Sequence, residues 1–147
     1  MTGDDVDILV VEDDPNDAEL VARVLRKNHL ADKLLLLKDG AEAMDFLFAQ
    51  GAYARRAGAG NPRVILLDLK LPKINGIEVL QRLRSSSRTR RIPVVILTSS
   101  REERDLDEAY NLGANSYVTK HIHFEEFAKI VAELAKYWLV WNKPPSR

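Results

Sequence analysis

Apolar residues gather in short unbroken runs along this chain, and segments with helical spacing lie between them. The clearest run is 64–67, Val-Ile-Leu-Leu, which passes straight into Asp68 and stops at Pro72. A continuous apolar run of that length, bounded by breakers, predicts a strand buried on both faces, as in a parallel sheet. Residues 6–11 predict a similar strand, ending in Glu12-Asp13-Asp14. Residues 33–38, four leucines between two lysines, predict another, although leucine is not a strong strand former. A further apolar run, 93–97, passes into Thr98-Ser99-Ser100, and 116–119 is a short last strand closed by Lys120.

The intervening segments carry helix signals. Asp14 and Pro15 fit the N-cap and first helical positions, and Asp17 falls in the first turn. That helix runs to about residue 29, with Ala18, Val21, Val24 and Leu25 on one face. Asp39-Gly40 turns the chain into a helix over 41–49, and Asn75-Gly76 opens one to about residue 85. Ser100 is placed to cap a helix over 101–112 that Gly113 stops. The final helix runs from Phe124 to about Trp141, while 51–63 predicts a loop longer than the usual median of about 4–6 residues. Five strands alternating with five helices predict an α/β fold, a flavodoxin-like doubly wound parallel sheet in the order 2-1-3-4-5.

In such a sheet, chemistry gathers where the carboxyl ends of the strands meet at the switch point, here between strands 1 and 3. Strand 1 brings Glu12, Asp13 and Asp14 to that edge, strand 3 brings Asp68, strand 4 Thr98 and strand 5 Lys120. Taken singly, each has a bland reading as a cap, a strand-end polar residue or a solvated lysine. Converging on one edge, they describe a site. Crowded carboxylates repel one another, and a hard divalent cation such as Mg²⁺ relieves that repulsion through oxygen ligands. An ammonium and a hydroxyl facing the metal make a clamp for a phosphoryl group. Asp68 is then either a metal ligand alone or a nucleophile that forms an acyl phosphate.

Composition narrows the picture. The 147 residues fit one domain, and 22 basic residues balance 22 acidic ones, so no global field favours nucleic acid or a membrane surface. Cysteine is absent, which excludes disulfides and thiol nucleophiles. No apolar run approaches the ~20 residues of a membrane span, and the acidic start lacks the basic opening of a signal peptide. A soluble, cytoplasmic protein is expected. The arginines between Arg82 and Arg91 read as a solvated helix end, His121 and His123 lack a third soft ligand, and 51–60 lacks phosphate-loop spacing.

Between Asp7 and Leu139 the sequence resembles the receiver domains of two-component response regulators. The resemblance rests on the acidic pair within Val10-Val11-Glu12-Asp13-Asp14, Leu67-Asp68 with Pro72 and Gly76 at the expected offsets, Thr98-Ser99, and Tyr117 three residues before Lys120. It implies that Asp68 accepts phosphate from a sensor histidine kinase. It further implies that Glu12, Asp13, Asp68 and the Lys70 carbonyl organise Mg²⁺, that Thr98 and Lys120 bind phosphoryl oxygens, and that Tyr117 changes rotamer on activation. Two positions depart from the pattern. His121 follows Lys120 where many receivers have a cis proline, and Lys70 puts a cation two residues past Asp68.

The resemblance is strongest to single-domain regulators paired with phytochrome-type histidine kinases, through the extended second loop, Ser116-Tyr117-Val118-Thr119-Lys120 and Tyr137-Trp138. A single receiver over 1–147 with a tail at 142–147, and no effector domain, is expected to act through protein interaction or phosphorelay, without turnover of an external substrate. The rival is a Mg²⁺-dependent phosphohydrolase with an aspartyl nucleophile. Many such enzymes carry Asp-x-Asp, and Lys70 occupies the second acidic position here. In the last helix, Phe124, Phe127, Val131, Leu134, Trp138 and Trp141 recur at spacings of 3, 4, 3, 4 and 3, and the helix outreaches the strands it covers. Leu134, Trp138 and Trp141 are therefore expected to form a homodimer interface.

Overall fold

The apolar runs form the strands that their continuity predicts, in a computed structural model that describes residues 5–120 and 123–146. Strands β1 (Ile8–Val11), β2 (Leu34–Leu37), β3 (Val64–Leu67), β4 (Val94–Thr98) and β5 (Ser116–Thr119) pair in parallel in the order β2-β1-β3-β4-β5. Val11 lies opposite Leu37 on one side and Leu67 on the other. β1 and β3 thus end at the same level, one residue short of Glu12 and Asp68. The ladder continues one step beyond the strands. The Glu12 N–H donates to the Leu37 carbonyl (2.9 Å), the Asp68 N–H to that of Val11 (3.1 Å), and the Lys120 N–H to that of Thr98 (2.7 Å). The residues that leave the sheet are therefore still held by it.

Helices α1 (Pro15–Lys27) and α5 (Phe124–Lys136) cover one face, and α2 (Gly40–Leu47), α3 (Gly76–Arg84) and α4 (Glu103–Asn111) lie on the other. Strand side chains alternate between the layers: Val64 and Leu66 pack toward Val21, Leu25 and Val131, while Ile65 and Leu67 pack toward Phe46, Leu80 and Leu83. Both faces are covered, which is why the strand runs are uninterrupted rather than alternating. The helix starts are tied locally. The Asp14 carboxylate accepts the N–H groups of Asn16 and Asp17, that of Asp39 accepts the Glu42 N–H, and the Asn75 side chain accepts the Glu78 N–H. Gly76 has a steric reason. A Cβ there would sit 2.1 Å from the Asp68 carbonyl oxygen, so only glycine lets α3 start against the backbone that carries Asp68.

Three expectations are corrected. Helix α4 begins at Glu103, not at 101, and Glu102 is its N-cap residue, without a side-chain cap bond. Ser100, two residues before that N-cap, donates its hydroxyl to the Asp105 carboxylate (2.5 Å) and accepts the Glu102 N–H (3.3 Å), so one hydroxyl ties the turn to the first helical residues from outside the helix. The segment after α2 is not plain loop. It opens with a 3₁₀ turn, Gly51–Arg56, kinked at Tyr53. Buried Arg56 donates to the carbonyls of Phe46 and Gly60 and lies 3.7 Å over the Phe46 ring. That anchor makes the long connection part of the α2 layer.

The third correction concerns the chain end. After Lys136 the helix widens into a π turn, Tyr137–Trp141, in which the Asn142 N–H reaches the Tyr137 carbonyl (2.7 Å). The wider turn breaks the 3-4 seam. Leu134, Trp138 and Leu139 pack against the α1–α5 layer of their own chain, while Tyr137, Val140 and Trp141 are exposed at 52%, 54% and 68%. Pro144 and Pro145 then line a small groove with Pro62, Arg91 and Pro93 of the same chain. His121 lies outside the described residues, as does the geometry of the bond preceding it.

Candidate functional site

The flush ends of β1 and β3 place Glu12 and Asp68 side by side, and the start of α1 brings Asp13 next to them. Carboxylate oxygens of Glu12, Asp13 and Asp68 lie within 4.8 Å of one another. Glu12 and Asp68 are buried, whereas Asp13 faces solvent. Lys120 enters from the end of β5. Its ammonium lies 2.6 Å from Glu12 Oε1, 2.9 Å from Asp68 Oδ2 and 2.8 Å from Asp17 Oδ2. An ammonium has three N–H donors, and here each has a carboxylate oxygen within hydrogen-bonding distance.

The remaining oxygens are tied to backbone. Asp68 Oδ1 accepts the Lys70 N–H (3.2 Å), and Glu12 Oε2 accepts the Asp14 N–H (3.1 Å). The Lys70 side chain itself is exposed. Burial pushes the Glu12 carboxyl up to about 8, with the Asp68 charge adding to it, against the hydrogen bond from Lys120. Burial alone would lower the pKa of Lys120, but hydrogen bonds to Asp17, Glu12 and Asp68 outweigh it and raise it. The cation is secure, and the carboxylates around it remain crowded.

Thr98 is fully buried at the end of β4, and its hydroxyl accepts the Ser100 N–H (3.3 Å). Tyr117 on β5 donates its hydroxyl to the Ser100 carbonyl (3.2 Å), and burial raises its pKa. Ser100 therefore joins the Thr98 and Tyr117 side chains through its own backbone. Thus Glu12, Asp13, Asp68 and Lys120 form one cluster. Thr98 and Tyr117 are linked to each other beside it. Leu134 lies near the end of α5, and Trp138 and Trp141 lie in the π turn beyond it.

Sequence reading missed Asp17 as a site residue. Its place in the first turn of α1 suggested only a favourable interaction with the helix dipole, and its partner lies 103 positions away. The one local signal was its position three residues past the N-cap Asp14, in the helix that begins at the sheet's functional edge. Ser100 was also read differently, as a helix cap.

Three carboxylates converging at a strand switch point suit a hard divalent cation, and an acidic side chain held beside an ammonium suits phosphoryl chemistry. The fold and site together define a class: a parallel α/β domain with an acidic, cation-binding type of pocket and a lysine at the carboxyl ends of its strands. Residues 8–132 match the response regulator receiver domain, and the chain belongs to that family. It is 41% identical to the probable methanogenesis regulatory protein FilR2 of Methanothrix harundinacea, over 94% of this chain and 86% of that protein. It is also 41% identical to the response regulator Rcp1 of Synechocystis, over 90% of this chain and 88% of Rcp1. The Mn²⁺-bound form of Rcp1 superposes with a TM-score of 0.87 at 40% identity, covering 95% of this chain and 98% of that one. The phosphorylated cyanobacterial phytochrome response regulator RcpA gives a TM-score of 0.87 at 37% identity, covering 95% and 97%. The protein is thus a phosphoacceptor response regulator of a two-component system, similar to phytochrome-associated regulators. Among the described residues, no helix is long and apolar enough to cross a membrane.

Proposed function

We propose that Asp68 is the phosphoacceptor and that a phytochrome-type sensor histidine kinase is the donor. An Asp68 carboxylate oxygen attacks the phosphorus of the kinase phosphohistidine. The P–N bond breaks, and the imidazole leaves with the bonding pair, neutral because its other nitrogen carries a proton. Glu12, Asp13, Asp68 and the Lys70 carbonyl would hold Mg²⁺, which offsets charge on the phosphoryl oxygens when bound. Lys120 and Thr98 bind those oxygens, and Tyr117 changes rotamer as Thr98 is drawn to the phosphoryl group. Water attack on phosphorus with Asp68 as leaving group resets the site. The observation that carries this reading is the placement of the Lys120 ammonium 2.9 Å from Asp68 within a cluster of carboxylates.

Acetyl phosphate with Mg²⁺ is expected to add one phosphoryl group to the wild type and none to Asp68→Asn, as read by intact mass. Steady turnover of a phosphomonoester without a stable adduct would contradict it. The reading extends to a cytoplasmic homodimer that signals by protein contact or phosphorelay rather than through nucleic acid. Its interface uses Trp141 with Val140 and Tyr137, and takes in the outer edges of Trp138 and Leu134. Support comes from the exposure of three apolar side chains in one turn. Sedimentation at ~100 μM should show a dimer, since such burial is expected to reach a micromolar Kd, about −8 kcal/mol; Trp141→Ala should shift it to monomer.

A further inference from the structure

Lys120 has three carboxylate partners, and two of them belong to the cation cluster. Glu12 and Asp68 share that cluster with Asp13, so a bound divalent cation would draw on their oxygens, and phosphorylation converts one Asp68 oxygen into the bridging oxygen of an acyl phosphate, a mixed anhydride. Asp17 is outside the cluster. Among the described residues, its contact with Lys120 is the one ion pair of that ammonium that neither event consumes. It is also held in place. Asp14 accepts the Asp17 N–H and Pro15 starts the helix, so the first turn of α1 presents the carboxylate from a fixed backbone.

We infer that Asp17 is a positioning residue for phosphoryl transfer: it anchors the Lys120 ammonium from the α1 side so that the freed N–H groups point at the phosphoryl oxygens. This rests on the assignment of Asp68 as phosphoacceptor. Phosphoryl transfer depends chiefly on positioning and charge neutralisation. An ammonium on a flexible four-carbon stem, gripped only by the group it must stabilise, is poorly oriented. Charge alone points the other way. Removing a carboxylate from this edge would make it less repellent to an anionic phosphodonor, so positioning and bulk electrostatics predict opposite signs for the same variant.

The test uses the full chain with acetyl phosphate, with beryllofluoride as a phosphoryl mimic, and with Mn²⁺ alone as a probe of the cation cluster. Asp17→Asn is expected to slow acyl-phosphate formation and weaken beryllofluoride binding about tenfold, within the 10²-fold that misplacement reaches. Mn²⁺ affinity should stay within about twofold. The control is Glu19→Gln, which removes the same charge from the same helix but contacts Arg26 rather than Lys120; it should leave both readouts within about twofold. A faster or unchanged rate in Asp17→Asn overturns the inference. So does an equal loss in Glu19→Gln, or a loss of Mn²⁺ affinity and thermal midpoint in step with the rate. Failure of the wild type to take a phosphoryl group on Asp68 overturns the underlying assignment instead, before any variant is compared.

Discussion

The two ends of the sheet each hold a cation, and they hold it differently. At the carboxyl edge Lys120 is surrounded by Glu12, Asp17 and Asp68, all potential anions. At the opposite edge Arg84, at the end of α3, donates to the carbonyls of Arg90, Ile92 and Gly113 and to Asn115 Oδ1. The same Asn115 oxygen accepts the Val94 N–H, so Arg84 ties together the starts of β4 and β5. Its partners are neutral dipoles fixed in the chain, three of the four at exposed positions. The partners of Lys120 are ligands that a cation or a phosphoryl group also wants. One cation is held by neutral backbone and amide oxygens, and the other by carboxylates that a metal ion or a phosphoryl group can claim. The contrast separates a structural clamp from a functional one.

That contrast breaks most visibly under substitution in the presence and absence of Mg²⁺. Lys120→Met leaves three carboxylates around a buried gap, and uncompensated buried charge costs about 3 kcal/mol. Denaturant titration should show that loss without metal and recover most of it with millimolar Mg²⁺, because ligand binding to the native state adds stability by mass action. Arg84→Ala should cost about 1 kcal/mol or somewhat more through its lost hydrogen bonds, with the same deficit at every Mg²⁺ concentration. Equal Mg²⁺ responses in the two variants would erase the distinction. The smallest effect belongs to Asp13→Ala. Asp13 is exposed and makes no ion pair with Lys120. Its removal relieves repulsion, so stability without metal should be unchanged or up to about 1 kcal/mol higher, while Mg²⁺ affinity falls. A large loss of stability would mark Asp13 as a structural residue.

The sheet was legible in the sequence because four short apolar runs and the segment 116–119, each ending in a polar residue, leave few alternatives. Strand order and parallel direction then carry Glu12, Asp68 and Lys120 to one edge, and the flush register sets Glu12 and Asp68 at one level. What was not legible depends on long-range choices by side chains. Asp17 pairs with Lys120 across the fold, with no local pattern to announce it. The Ser100 hydroxyl both accepts the Glu102 N–H and donates to Asp105 from two positions ahead of the N-cap, an offset that residue type alone does not reveal. The regular 3-4 spacing of the last helix predicts one continuous seam, yet the π turn sends Trp138 to its own core and Trp141 to solvent. Periodicity assumes a constant turn, and a helix end need not keep it.

The most direct test of the central claim is the location of the phosphoryl group. After incubation with acetyl phosphate and Mg²⁺, borohydride reduces an acyl phosphate to an alcohol at the modified side chain, and peptide mass spectrometry reads the position. A single modified residue, Asp68, is expected, with the label absent when Mg²⁺ is chelated. A label on Glu12 or Asp13, or none with the metal present, would contradict it.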